Sequence, residues 1–225
     1  MNVTGVAFVP MTPLMFRHLS GAADPLAELR EAAVRAIRDA CEGAAQVVVL
    51  CPVGGREAPG DWRDPSHAGP VHGEPRSLSE RVAAHLVMDV ARIDLPLALV
   101  PVTLGSDLYP DLASVASAQE SEVFEGAATA VIVLGDGAAA RSQGAPGHID
   151  ERSFPFDDAV AAALEGGDGA GLAALAVAPE AVDLLVTGRH SWPQLGAWVP
   201  RAAEADFRWR GDPFGLTYLV ALWRP

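Results

Sequence analysis

Residues 46–51 read QVVVLC, and the five consecutive apolar side chains after Gln46 decide the fold class. The run is too short for an ordinary helix and lacks the alternation of a strand with one wet face. It reads as a strand covered on both sides, the pattern of a sheet held between helical layers. Upstream, residues 3–10 (VTGVAFVP) form a second such run, closed by prolines and only about two helical turns long. Between the two, Asp24-Pro25 places a capping side chain before a proline at the first helical position. Leu26, Leu29, Val34 and Ile37 then space an apolar stripe down to Gly43. Strand, helix, strand is the opening of a parallel α/β unit.

The same alternation continues downstream. Residues 77–90 carry a helical stripe through Leu78, Val82, Leu86 and Val90, with Ser77 and Glu80 at the spacing of a capping box. Residues 97–102 are expected to form a third central strand, followed by a helix around 114–126. Residues 130–134 (AVIVL) form a fourth strand stopped by Gly135-Asp136-Gly137. From Phe156 the chain is Ala-rich and predicts short helices over 157–164, 169–176, 179–187 and 192–203. Residues 206–210 and 215–223 alternate across Gly211-Asp212-Pro213, predicting a closing antiparallel hairpin on the sheet edge. The expected fold is α/β: a three-layer αβα sandwich with a central mixed sheet of about six strands, as one domain over 1–225.

Composition bounds the partners. The chain has 225 residues with 16 basic and 29 acidic side chains, a formal charge of −13, and half of its residues are apolar, enough for a sizeable core. Every basic residue is Arg and none gathers into a stripe, so neither nucleic acid nor an anionic membrane is an expected partner. Cys41 and Cys51 are too few for a disulfide framework and read as reduced thiols. The first Arg is Arg17 and prolines interrupt the only earlier apolar stretch, so no export signal is expected. No apolar run approaches the roughly 20 residues of a membrane span. The expected location is cytoplasmic.

In such a sheet, ligand sites form beyond the carboxyl ends of the strands. Here those positions are Met11 and Thr12, Cys51 to Val53, Thr103, and Asp136 onward. Charge is scarce in this chain, yet residues 135–152 (GDGAAARSQGAPGHIDER) gather Asp136, Arg141, His148, Asp150, Glu151 and Arg152. That loop reads as a polar pocket wall with His148 as a candidate proton-transfer group, or as a loop braced by its own ion pairs. Asp64, His67, His72 and Glu74 could hold a divalent ion such as Zn or Fe(II), but no regular element puts them on a common face, and a solvated loop is the plainer reading. His190 precedes a helix start capped by Ser191 and could face the same cleft. Cys51 reads as a packed thiol beside it. Nucleophile-elbow, phosphate-loop, zincin and dinucleotide signatures are all missing.

The segments AFVPMTPLM, VVVLCPVGG, VIVLGDGAAARSQGAPGHIDERSFPFDDAV and DPFGLTYLVALW resemble those of the class III extradiol ring-cleavage dioxygenase family over nearly the whole chain. The likeness is strongest to an actinobacterial branch with a D-G-S-A-R-R type loop and a D-E-R-x-x-P-F-D segment, matched by Asp136 to Arg141 and Asp150 to Asp157. Memo-like proteins are more distant. The resemblance implies an α/β sheet and, in catalytic members, a non-haem Fe(II) held by two His and a carboxylate that activates a catechol and dioxygen. Here Met11 and Val53 stand where the resemblance places imidazoles after the first two strands, and Ala139 stands at its acid/base His. Fe(II) needs about three firm N or O ligands, which a thioether and an isopropyl group do not supply.

Three readings follow. The preferred one is an iron-free member that keeps its cleft for a small aromatic or acidic ligand near Arg141, Arg152 and His148, with no cofactor. The second is a metal-dependent oxidoreductase with ligands relocated to His67, His72, Glu74 or His148. The third is a structural or regulatory subunit whose small paired chain supplies the chemistry; a homo-oligomer is the other assembly expected.

Overall fold

The computed structural model describes residues 2–52, 77–102 and 126–225. Val53, Asp64, His67, His72, Glu74 and Thr103 lie outside them, as does the helix expected around 114–126 except for Gly126.

Among the described residues, six strands form one mixed sheet: β1 (Val3–Val9), β2 (Gln46–Pro52), β3 (Leu97–Val102), β4 (Thr129–Leu134), β5 (Glu204–Gly211) and β6 (Tyr218–Arg224). Their order is β3-β2-β4-β1-β6-β5. β1, β4, β2 and β3 run parallel, whereas β6 is antiparallel to both β1 and β5. The fold class expected from the apolar runs is the one observed, including the C-terminal hairpin.

The helices are α1 (Ala27–Ala40), α2 (Leu78–Ala84), α3 (Ser153–Glu165), α4 (Gly169–Val177), α5 (Pro179–Asp183) and α6 (Trp192–Trp198). They cover both faces of the sheet. On one face, Ala7, Val9, Val49 and Ile132 pack against Leu29 and Ile37 of α1 and Val82 of α2. On the other, Phe8, Leu50, Val131 and Trp223 pack against Val160 and Leu164 of α3, Leu172 of α4 and Leu195 of α6. β2 and β4 are buried along their whole length because each has strands on both sides and helices above and below. Phe8 and Trp223 meet edge to face at 4.5 Å, and the Trp223 indole N–H donates to the Leu164 carbonyl at 2.7 Å. A buried indole without that acceptor would be costly. Among the described residues no helix is long and apolar enough to cross a membrane.

Several expectations need correction. Among the described strands, residues 97–102 lie at an end of the sheet rather than at its centre. Their burial alternates, and Pro101, which has no N–H to give a further neighbour, is exposed. α1 starts at Ala27, not at the proline: Asp24 has φ +42, and its carboxylate turns to the guanidinium groups of Arg17 and Arg30 instead of capping. The capping box at Ser77 and Glu80 is present, but the helix widens to a π-helix over His85–Val90. The helices expected to reach residues 187 and 203 stop at Asp183 and Trp198.

Candidate functional site

β1 leads into α1 on one face, while β4 leads into the α3 to α6 layer on the other. Where neighbouring parallel strands send their connections to opposite faces, the ends of those strands are the usual place for a ligand crevice in an α/β sheet. Because β6 is antiparallel to β1, its first residue, Tyr218, arrives at that same end.

Asp136, the second residue after β4, lies buried at that end of the sheet. Its Oδ1 accepts the Met11 N–H at 3.2 Å, its own N–H donates to the Thr187 hydroxyl at 2.8 Å, and its carbonyl accepts the Gly188 N–H at 3.1 Å. The strap formed by residues 187–191 can lie against β4 because two glycines face each other. A Cβ on Gly135 would fall 2.6 Å from Gly188 Cα, and one on Gly188 would overlap the Trp192 ring. The Ser191 hydroxyl then donates to the Leu134 carbonyl at 2.7 Å. Asp136 is only 3% exposed, and burial pushes its carboxyl up to about 7; hydrogen bonds from Met11 and Thr187 pull the other way. No ion pair reaches it among the described residues.

Thr12 and Tyr218 complete the buried polar set. Thr12 caps the 3-10 turn Pro13–Met15 by accepting the Leu14 N–H, and it also accepts the Tyr218 hydroxyl at 3.4 Å. Burial pushes the Tyr218 phenol up to about 12, and the nearby Asp136 charge adds to the shift.

The charged loop after β4 is organised differently. Asp157, wholly buried on α3, accepts the Ala138 N–H at 2.9 Å, the Thr217 hydroxyl at 2.5 Å and Arg141 Nη1 at 3.3 Å. Arg141 also bonds Asp212 at 2.6 Å and lies over the Phe154 ring at 4.4 Å. Arg152 is 54% exposed and pairs with Asp150 at 2.7 Å and Asp183 at 3.0 Å. His148 is exposed at φ +55, with Nδ1 3.4 Å from the Gln143 carbonyl. The bonds that hold Arg141, His148 and Arg152 all go to this loop and its neighbours, none to Asp136, Met11 or Thr12.

The structure therefore brings Met11 to Asp136 and Thr12 to Tyr218 at one end of the sheet. Cys51 is fully buried in the core beneath α1 and α2, its thiol 3.7 Å from the Val49 carbonyl. His190 is half-buried in the strap's 3-10 turn, where burial and Arg189 lower its pKa and favour the neutral ring. Ala139 is buried within the loop, its N–H donating to the Leu184 carbonyl. Thr187 and Tyr218 join the site without any local mark in the sequence. The signal for Tyr218 is topological: pairing the last strand against the first puts its start beside Thr12.

No family model and no curated protein matches this chain. Its site is defined by geometry alone.

The iron centre implied by the resemblance does not fit the residues described. Met11 offers a main-chain N–H already given to Asp136 and a thioether, a poor ligand for Fe(II). Among the described residues no three His, Cys, Asp or Glu side chains gather as a metal-binding set. Elsewhere, a shallow groove of about 580 Å³ runs between α3 and α4, lined largely by Ala and Gly. Its two polar groups are already engaged, Asp168 capping α4 and Arg201 bonding the Gly166 carbonyl.

Proposed function

We propose that this chain is a relative of the class III extradiol dioxygenases that holds a small organic molecule, without iron, in the crevice beyond β1 and β4. Asp136, Thr12 and Tyr218 supply the polar contacts, and the Met11 backbone forms one wall.

The observation that carries the reading is Asp136 itself. A carboxyl taken out of water without a cation gives up its charge more readily, and groups shifted in this way are enriched at binding and catalytic sites. This one stands at the place where an α/β sheet offers a ligand crevice. The neighbouring hydroxyls of Thr12 and Tyr218 give it a polar floor within an otherwise apolar region. The charged loop is the weaker candidate, because its arginines are already bound to carboxylates.

The test is an amide chemical-shift titration of the full chain with benzyl alcohol, a neutral probe with one hydroxyl. The expected result is concerted movement of the Met11, Thr12, Asp136 and Thr187 amides. Shifts confined to the groove between α3 and α4, or no shifts, reject the crevice as the site.

A further inference from the structure

If the crevice reading above holds, the groups that line the crevice select the charge of its ligand. The sequence draws attention to Arg141 and Arg152 as anchors for an acidic ligand, but both are neutralised within the fold. Arg141 is held by Asp157 and Asp212, and Arg152 by Asp150 and Asp183. Two guanidinium groups thus face four carboxylates, and the loop adds no positive field to a chain of formal charge −13.

The crevice has the opposite deficit. Asp136 receives a backbone N–H from Met11 and lies against the Thr187 hydroxyl, but no cation pairs with it among the described residues. Tyr218 directs its proton to Thr12 Oγ1, which leaves the phenolic lone pairs as acceptors. A buried carboxylate and a buried phenolic oxygen that has already committed its proton are a pair of groups that accept hydrogen bonds. An ammonium or amidinium group brings several donors and a positive charge to such a pair, whereas a second carboxylate would repel it.

We infer that the ligand presents a cationic nitrogen, an ammonium or amidinium, to Asp136, with Tyr218 as the second acceptor. The acidic surface of the whole chain favours the approach of such a ligand.

Three probes on one scaffold test this: benzylamine, benzyl alcohol and benzoate, titrated into the full chain at pH 7.5 by calorimetry and amide shifts. Benzylamine is expected to bind about tenfold more tightly than benzyl alcohol, and benzoate most weakly. Asp136→Asn should bring benzylamine down to the level of the alcohol. Tyr218→Phe, which keeps the ring in place, should weaken the amine about threefold and leave the alcohol less affected. Benzoate binding as tightly as benzylamine, or an amine preference that survives in Asp136→Asn, overturns the inference. If Asp136→Asn does not fold, the charge series on the native chain and Tyr218→Phe decide alone. Benzyl alcohol moving the crevice amides with no amine preference sinks the cation and leaves the crevice standing. If neither probe moves them, both readings fall.

Discussion

Met11 and Asp136 stand 125 positions apart in the chain and meet at the carboxyl ends of neighbouring strands, the Met11 N–H donating to Asp136 Oδ1 at 3.2 Å. This contact joins the segment entering the α1 side of the sheet to the segment entering the α3 side. It also fixes a buried carboxyl where the two paths diverge.

Because burial raises the Asp136 carboxyl from 3.8 to about 7, the folded chain holds its proton where the unfolded chain releases it. Its contribution to stability is complete below about pH 4 and is lost as pH rises through about 7. At about 1.4 kcal/mol per unit, the loss is on the order of 4 kcal/mol. Asp157 shifts the same way, while Asp24 and Asp150, held low by Arg30 and Arg152, act only in the acid range. Asp136→Asn leaves those three in place. Urea unfolding from pH 5 to pH 8 should show a flatter profile for the variant and higher stability than wild type at pH 8. Parallel profiles would contradict the burial argument.

Asp157 and Arg152 separate buried from exposed charge. Asp157→Ala strands the Ala138 N–H, the Thr217 hydroxyl and one side of Arg141, and should cost roughly 3–5 kcal/mol. Arg152→Ala breaks two solvent-exposed pairs and should change stability by no more than about 1 kcal/mol. Chemical denaturation of the two variants measures both, and similar losses would mean that burial is not what sets the difference.

Gly188 lets the strap lie over the end of β4. Gly188→Ala drives a methyl group into Trp192 and should cost about 3 kcal/mol, at the upper end for overpacking. Gly144→Ala meets nothing within 4 Å and is expected to be near neutral. Thermal melting of the pair provides the check, and an unperturbed Gly188→Ala would show that the strap can move aside.

Ser77 closes a capping box with Glu80, accepting the Glu80 N–H while the Glu80 carboxylate accepts the Ser77 N–H at 2.8 Å. Ser77→Ala should cost about 1 kcal/mol, read from the urea midpoint.

The parallel strands are legible in the sequence because each is a short, largely apolar run, and the runs at 46–51, 97–102 and 130–134 agree with the observed strands to within a residue at either end. Position in the sheet is not: an apolar run does not tell an end strand from a central one, and β3 lies at the end. Asp24 reads locally as a cap, yet its carboxylate is claimed by Arg17 and Arg30, which flank it in the chain but reach it only through the folded turn. The site divides along the same line. Met11, Thr12 and Asp136 follow strands and so can be placed from the topology. Thr187 and Tyr218 join them through contacts made between distant segments. The clustering of Arg141, His148 and Arg152 in sequence says nothing of their tertiary partners, and Asp157, Asp183 and Asp212 hold the two arginines within the loop's own structure.

Whether the crevice takes an organic ligand in place of an iron centre is decided by anaerobic Fe(II) loading of the full chain, desalting and elemental analysis, followed by aerobic addition of catechol. Far less than one iron per chain and no ring-opened product are expected. One tightly held iron per chain, lost in a His67→Ala, His72→Ala double variant, or ring cleavage by the loaded chain, would refute the iron-free crevice.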